Sequence, residues 1–176
     1  MSLDFRAEFK TVYSYIEKRV ADFDPSANSG PGEADEPIQQ IDLGYQFDQA
    51  GWIAIVFDTR PDAESDGQWQ LHIEDNMLEL NHWCEAFDTL IENEVPITVT
   101  LRDGSVETLN PDMEMEDLAE LFGVVLKDAL LEARNAGVFA TLPLAATCVM
   151  GIEEHEGNYG WPEYENRDEG RIEGPA

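Results

Sequence analysis

Alternating carboxylates ahead of a glycine form the most ligand-like cluster in this sequence. Asp62, Glu64 and Asp66 precede Gly67, which matches the first half of a helix–loop–helix calcium loop, with oxygen ligands at positions 1, 3 and 5 and glycine at position 6. Position 12 of such a loop supplies a bidentate Glu, but that position is Ile73 here. The flanking residues also follow a strand pattern rather than a helical one. We therefore interpret the cluster as an acidic hairpin turn that offers only a weak cation site.

The other residue types that serve in catalysis and metal binding are scattered. His72, His82 and His155 stand far apart, whereas zinc sites usually gather histidines at short spacing. Cys84 and Cys148 form no CxxC pair, and both fall in apolar patterns typical of buried free thiols. The sequence contains no GxSxG nucleophile elbow and no glycine-rich phosphate or dinucleotide loop. We therefore predict no cofactor, no metal and no catalytic residue, while an enzyme with dispersed catalytic residues stays an alternative.

Excess negative charge is the strongest compositional feature. The chain carries 38 Asp and Glu against 10 Lys and Arg, a formal net charge of −28 over 176 residues. Such a surface repels nucleic acid and anionic membranes, so we expect neither as a partner. It attracts a basic protein, and electrostatic steering speeds that association. We therefore predict an acidic, non-catalytic binding protein with a basic protein as its partner, and an immunity or inhibitor protein as the narrower interpretation.

The stretch over residues 61–101 is the predicted source of the binding face. It contains no Lys or Arg and ten acidic residues. A helix predicted over residues 77–91 would expose part of this charge beside the acidic turn. An exposed aromatic side chain beside these acids could anchor the contact, because rim charge mainly sets the association rate while a buried anchor holds the complex. The predicted partner-binding residues are Asp62, Glu64, Asp66, Glu79, Glu85, Asp88, Glu92 and Trp161.

Hydrophobic periodicity predicts the elements that position these residues. Apolar side chains recur at three- and four-residue steps over 3–23, 77–91 and 111–136, which predicts three amphipathic helices. Alternating or continuous apolar runs predict strands over 41–47, 52–57, 69–73, 95–101, 106–109 and 141–152. Short turns join most of these strands. The predicted fold is α+β in the order α-β-β-β-α-β-β-α-β, with a mainly antiparallel sheet of about five to six strands and three helices.

An acidic tail is predicted over residues 153–176, after a single domain over 1–152. Three aromatic residues interrupt this tail, Tyr159, Trp161 and Tyr164. A purely solvated tail seldom needs aromatic side chains, so we expect them to pin the tail to the domain. Exposed anchors for a partner are the alternative.

The sequence also bears on the cellular location of the protein and on the origin of its charge. No secretory signal begins the chain and no apolar run approaches the roughly 18 residues of a membrane span, so we expect a cytoplasmic location. Only three lysines occur, at positions 10, 18 and 127, so adaptation to a salt-rich cytoplasm is an alternative origin of the charge. The element order and charge are broadly similar to those of bacterial immunity proteins of the SUKH type. This resemblance is one of class without a residue motif, so it assigns no residue a role.

Raising the KCl concentration from low to molar should increase the melting temperature of this protein. The net charge of −28 destabilises the compact state through self-repulsion, and the Debye length falls to about 3 Å at 1 M salt. Thermal unfolding followed by circular dichroism across a KCl series checks this. A melting temperature that stays flat across the series would contradict it.

Overall fold

The computed structural model describes residues 1–24, 37–48, 51–59, 77–155, 157, 159–162 and 169–172. The predicted strand over 69–73 and the acidic turn with Asp62, Glu64 and Asp66 lie outside these described residues. The same holds for His72 and Tyr164. The weak cation site and part of the predicted binding face therefore stay predictions.

Three α-helices and eight strands build the described part of the chain, in the α+β class that the sequence predicts. Helix α1 spans Phe5–Ala21, α2 spans Asn81–Phe87 and α3 spans Met115–Asn135. A π-helix, Asp88–Glu92, continues α2, and a 3₁₀-helix, Val138–Thr141, follows α3. The strands are β1 Ser2–Asp4, β2 Ile38–Gln46, β3 Trp52–Asp58, β4 Leu78–Glu79, β5 Ile97–Thr100, β6 Val106–Leu109, β7 Leu144–Glu154 and β8 Gly160–Trp161. None of the described helices is long and apolar enough to cross a membrane.

The strands form two mixed sheets rather than one sheet. The smaller has the order β1-β5-β6 and the larger the order β4-β3-β2-β7-β8. Most neighbouring strands are antiparallel, as predicted, but β1 runs parallel to β5 and β2 runs parallel to β7. Parallel neighbours need a long crossover connection. No turn motif in the sequence marks such a pair, which is why these two pairings were not predicted.

The first predicted helix begins later than its apolar pattern suggests. Residues Ser2–Asp4 pair with Thr98–Thr100 as a parallel edge strand, so α1 begins at Phe5 rather than at residue 3. The Asp4 carboxylate accepts a hydrogen bond from the backbone N–H of Arg6 at 3.0 Å and caps the helix. Asp4 is therefore both the last residue of β1 and the N-cap of α1.

The second predicted helix, over 77–91, is shorter than predicted. Leu78–Glu79 pairs antiparallel with β3, and α2 begins only at Asn81. Glu79, which we expected on the exposed side of the helix, lies on strand β4 instead. The last turns, from Asp88 to Glu92, adopt the wider π geometry. Strand pairing of two residues cannot be recognised in a sequence whose apolar spacing is also helical.

An aromatic cluster forms the centre of the core. The Trp83 ring centroid lies 4.6 Å from that of Phe122, and the Phe47 centroid lies 5.1 Å from the same ring. Phe5 approaches Phe122 at 5.9 Å. All four side chains are buried. They come from α1, α2, α3 and the position directly after β2. The Phe122 ring therefore packs against side chains from the other two helices and from the larger sheet.

Both cysteines are free thiols, as predicted. Cys148 is buried on β7, and burial raises the pKa of its thiol to about 12. Cys84 is only half-buried, and its Sγ donates to the backbone carbonyl of Asp48 at 3.2 Å. Desolvation and the neighbouring carboxylate of Asp88 raise the pKa of Cys84. Both groups are therefore protonated at neutral pH and are poor nucleophiles.

The described aromatic residues of the tail pack on the domain, as predicted. Trp161 is 8% exposed on β8, which pairs with β7 at Ile152. The half-buried Tyr159 ring lies so close to α3 that a Cβ at Gly123 would come within 2.5 Å of it. Further along, the N–H of Ile172 donates to the carbonyl of Cys148 at 2.9 Å. The domain thus covers most of the Trp161 side chain, and its predicted role as a partner anchor stays a prediction.

Candidate functional site

An open apolar groove lies between α1, α3 and the β5–β6 hairpin, and we call it the α1–α3 groove. Its volume is ≈ 520 Å³, which is within the usual range of sites that hold a ligand or several side chains of a partner. The sequence did not predict it. The groove is lined by Phe5, Phe9, Leu101, Arg102, Asp103, Glu107, Leu109, Met113, Asp117, Glu120, Leu121, Val124, Val125 and Asp128.

Helical spacing builds the apolar floor of the groove. Phe5 and Phe9 stand one turn apart on α1, and Leu121 and Val125 stand one turn apart on α3. Each pair therefore presents its side chains on one face of its helix. Val124 lies beside the second pair and is 41% exposed. The floor thus leaves apolar surface open to solvent where the two helices and the hairpin meet.

Carboxylates form the rim above this floor. Asp103 and Glu107 come from the hairpin, whereas Asp117, Glu120 and Asp128 come from α3. All except the half-buried Asp128 are exposed. Among the described residues, no Lys or Arg forms an ion pair with Glu107, Asp117 or Glu120. These three carboxylates are therefore available to cationic groups of a partner.

Arg102 is the one cation in the described lining, and it is held in place at one end of the groove. Its Nη1 donates to Asp128 at 2.9 Å and its Nη2 donates to Glu132 at 2.6 Å. The guanidinium carbon lies 3.6 Å from the centroid of the Phe9 ring, a cation–π contact. Partial burial works against the charged form, but the two carboxylates outweigh it and raise the pKa of Arg102. Arg102 thus neutralises the rim locally and covers the end of the apolar floor.

The acidic face predicted on the second helix is exposed but separate from the groove. Glu85 lies on α2, and Asp88 and Glu92 lie on the π-helix that continues it. Glu79 is exposed on β4. None of these four lines the α1–α3 groove. The predicted face therefore supplies charge, but the structure does not bring it together with the apolar surface.

A buried carboxylate on α1 links this helix to α2. Glu8 is buried, and its Oε2 accepts a hydrogen bond from Trp83 Nε1 at 3.1 Å. Its Oε1 lies 2.8 Å from Nε2 of the partly exposed His82. These two contacts satisfy a carboxylate that would be costly to bury alone. We interpret the cluster as a structural link that fixes α1, and with it the positions of Phe5 and Phe9.

Metal binding finds no support in the described part of the chain. Within the ranges that the structure describes, no group of three or more His, Cys, Asp or Glu side chains is placed to hold a metal ion. His82 is engaged by Glu8, and His155 packs its ring 5.7 Å from that of Trp52. The described histidines thus have separate structural surroundings.

Sequence reasoning missed the groove because its residues resemble core residues. Phe5 and Phe9 belong to the apolar face of α1, and Leu121 and Val125 belong to that of α3. The signal that could have been used is Val124, which widens the apolar stripe of α3 beyond what one packed face needs. Whether a wide stripe becomes core or groove depends on what covers it, which is a property of the tertiary structure.

Comparisons of this chain with protein-family models, with curated proteins and with solved structures find no match. The chemistry of the α1–α3 groove and the charge of the chain are therefore the features that bear on function.

Proposed function

We propose that this chain is a non-catalytic binding protein that holds a basic protein partner in the α1–α3 groove. The observation that supports this is the combination of an apolar floor with an acidic rim in one concave site. Buried apolar anchors supply most of the affinity of a protein interface, while charges at the rim set the association rate and exclude wrong partners. The site offers both, and the net charge of −28 would steer a cationic partner toward it.

The side chains at the site favour binding over catalysis. The described lining offers apolar groups, carboxylates and the guanidinium of Arg102. It includes no Ser, Cys, His or Lys side chain that could act as nucleophile or switchable base near neutral pH. The rim carboxylates Asp117 and Glu120 are exposed and therefore well placed to meet cations.

Inhibition is the narrower form of this proposal. Proteins that grip phosphates, such as nuclease-type toxins, carry basic surfaces for that purpose. A partner of this kind would lose access to its substrate if its basic surface were covered by the acidic rim. Salt adaptation would account for the net charge, but it gives no reason for an exposed apolar side chain such as Val124 beside the floor.

Substituting Val124 by Glu should abolish capture of the basic partner from native lysate at moderate ionic strength. The substitution places a charge in the open part of the floor, where a partner side chain must be desolvated. It lies on an exposed helix position, where Glu is a good helix former. Val95→Glu is the matched control, because Val95 is 46% exposed and lies outside the groove lining.

The capture experiment compares the wild type, the two variants and an unrelated protein of similar charge, with mass spectrometry to identify what is retained. We expect the wild type and Val95→Glu to retain a basic protein that neither Val124→Glu nor the unrelated protein retains. Thermal unfolding of both variants checks that they fold. Retention only of proteins that the unrelated control also retains would reduce the proposal to nonspecific charge attraction.

A further inference from the structure

We infer that the occupant of the α1–α3 groove is a single amphipathic helix of the partner, apolar on the side that enters the groove and basic toward the Asp117 end. This inference rests on the proposed function and names the partner chemistry of the same site. It follows from three features of the groove: the groups on its walls, the length of the row of groove residues on α3, and the distribution of charge along that row.

The walls of the groove present side chains rather than free backbone groups. Glu107 and Leu109 stand two residues apart on β6, so their side chains lie on the same face of the strand, and Thr108 between them is not part of the lining. The hairpin therefore faces the groove with a side-chain surface and not with its strand edge. At the hairpin turn, the N–H of Leu101 donates to the carbonyl of Ser105 at 2.8 Å. An extended peptide in the groove would leave its own N–H and C=O groups without partners against an apolar floor. A helix satisfies its backbone internally, so it enters such a site without that cost.

The open row on α3 matches the length of a short helix. Asp117, Leu121, Val124 and Asp128 follow at steps of three and four, so they lie along one face of α3. The row extends over twelve residues, about 16 Å along the axis. A groove of ≈ 520 Å³ takes the apolar side chains of one helix face rather than the whole helix. About three turns of a partner helix would therefore contact the row, with apolar anchors one turn apart.

Charge is distributed unequally along this row. At the Asp128 end, Arg102 already pairs with Asp128 and Glu132. At the other end, no described Lys or Arg pairs with Asp117 or Glu120. Basic side chains of the occupant should therefore gather at the Asp117 end. The N-terminal end of a helix is the positive end of its dipole and fits there as well.

The test uses a labelled synthetic peptide of about 18 residues, long enough for the contact row. It carries leucines at helical spacing on one face and lysines in its N-terminal half. A diastereomer with two central D-residues keeps composition and charge but disrupts the right-handed helix. A third peptide moves the lysines to the C-terminal half. Fluorescence anisotropy at about 0.15 M salt gives the affinities, and backbone amide NMR shifts of the protein locate the site.

We expect the first peptide to bind at least about tenfold more tightly than its diastereomer, with shifts centred on Leu121 and Val124. It should bind about two- to fivefold more tightly than the third peptide, which brings its lysines to the Asp117 end only in the reversed orientation, with its dipole opposed. Asp117→Lys combined with Glu120→Lys should weaken its binding by about tenfold. Glu85→Lys combined with Asp88→Lys is the control, because it makes the same charge change on the exposed face outside the groove. That control should change the affinity by less than about twofold.

Four outcomes would contradict this inference. Equal binding of the first peptide and its diastereomer, or shifts centred on α2, would overturn the helix-in-groove arrangement but leave a basic partner possible elsewhere on the surface. Equal effects of the two Lys pairs would overturn the assignment of the acidic end. A fourth peptide, with the same leucines but glutamine in place of every lysine, is the neutral reference. If no lysine-bearing peptide bound more tightly than this reference, the proposed function itself would fall.

Discussion

Replacing Trp83 by Ala should lower the free energy of unfolding by about 4 kcal/mol, the size seen for deletion of a buried aromatic side chain. Trp83 is fully buried, and its ring centroid lies 4.6 Å from that of Phe122 at the centre of the core. Its Nε1 also donates to the buried Glu8 carboxylate at 3.1 Å. The substitution therefore opens a cavity and removes one of the two contacts that make burial of Glu8 tolerable.

Two comparisons separate these contributions in equilibrium urea unfolding. Trp83→Phe keeps an aromatic ring but loses the donor to Glu8, so it should cost about 2 kcal/mol. Trp52→Ala makes the same deletion at a half-buried position on β3, so it should cost clearly less than Trp83→Ala. Equal losses for Trp52→Ala and Trp83→Ala would show that the aromatic cluster is not the centre of the core.

The helical spacing of apolar residues predicts the two long helices, α1 and α3, because the apolar face that this spacing defines is largely the face that packs in the core. Helix α3 has apolar side chains at helical steps over 21 residues, and most of those residues are buried. The hairpin between β5 and β6 was predicted for a different reason: Asp103-Gly104 occupies its turn, and Gly104 has φ of 90°, a conformation that glycine adopts readily. Local chemistry determines such elements, so they can be recognised without knowledge of the rest of the fold.

The elements that were not predicted depend on partners far away in the chain. Ser2–Asp4 forms a strand only because β5, more than ninety residues later, offers it an edge. The parallel pairing of β2 with β7 brings Ile41 beside Met150. Leu78–Glu79 likewise becomes a strand through β3. In each case a short segment adopts the conformation that an available neighbouring strand requires, and tertiary context overrides local spacing.

The candidate site illustrates the same limit for function. Charge made a basic partner predictable, but the predicted acidic residues Glu85, Asp88 and Glu92 lie outside the groove. Phe9 and Val124 have the spacing of core residues, and only the positions of the hairpin and α3 leave them at an open surface. The apolar floor and the acidic rim come from α1, α3 and the β5–β6 hairpin. Their combination therefore cannot be recognised from any single stretch of the sequence.

Removing residues 157–176 should lower the free energy of unfolding by about 3 kcal/mol. The described part of this tail buries Trp161 and Ile172 and half-buries Tyr159. Such burial stabilises by about 2 kcal/mol per side chain, while ordering the segment offsets part of that gain. Arg134 on α3 also donates to the carbonyl of Glu169 at 2.9 Å, which holds the segment to the helix. Urea unfolding of the full and shortened chains measures the difference, and unchanged stability would contradict the packing role of the tail.

Gly123→Ala distinguishes specific tail packing from a general effect of shortening the chain. In the full chain a Cβ at Gly123 would lie 2.5 Å from the Tyr159 ring and 2.8 Å from the Tyr45 hydroxyl, so the substitution should destabilise by about 1–3 kcal/mol. In the shortened chain the Tyr159 ring is absent, and Ala is favoured over Gly inside a helix by about 1 kcal/mol. The Tyr45 hydroxyl, which donates to the carbonyl of Ala119 at 2.6 Å, still resists the added methyl group. The same substitution should therefore cost much less in the shortened chain than in the full chain. An equal cost in both would mean that Tyr159 does not pack against α3, and that the tail stabilises the protein, if at all, through its other contacts, such as β8 and Ile172.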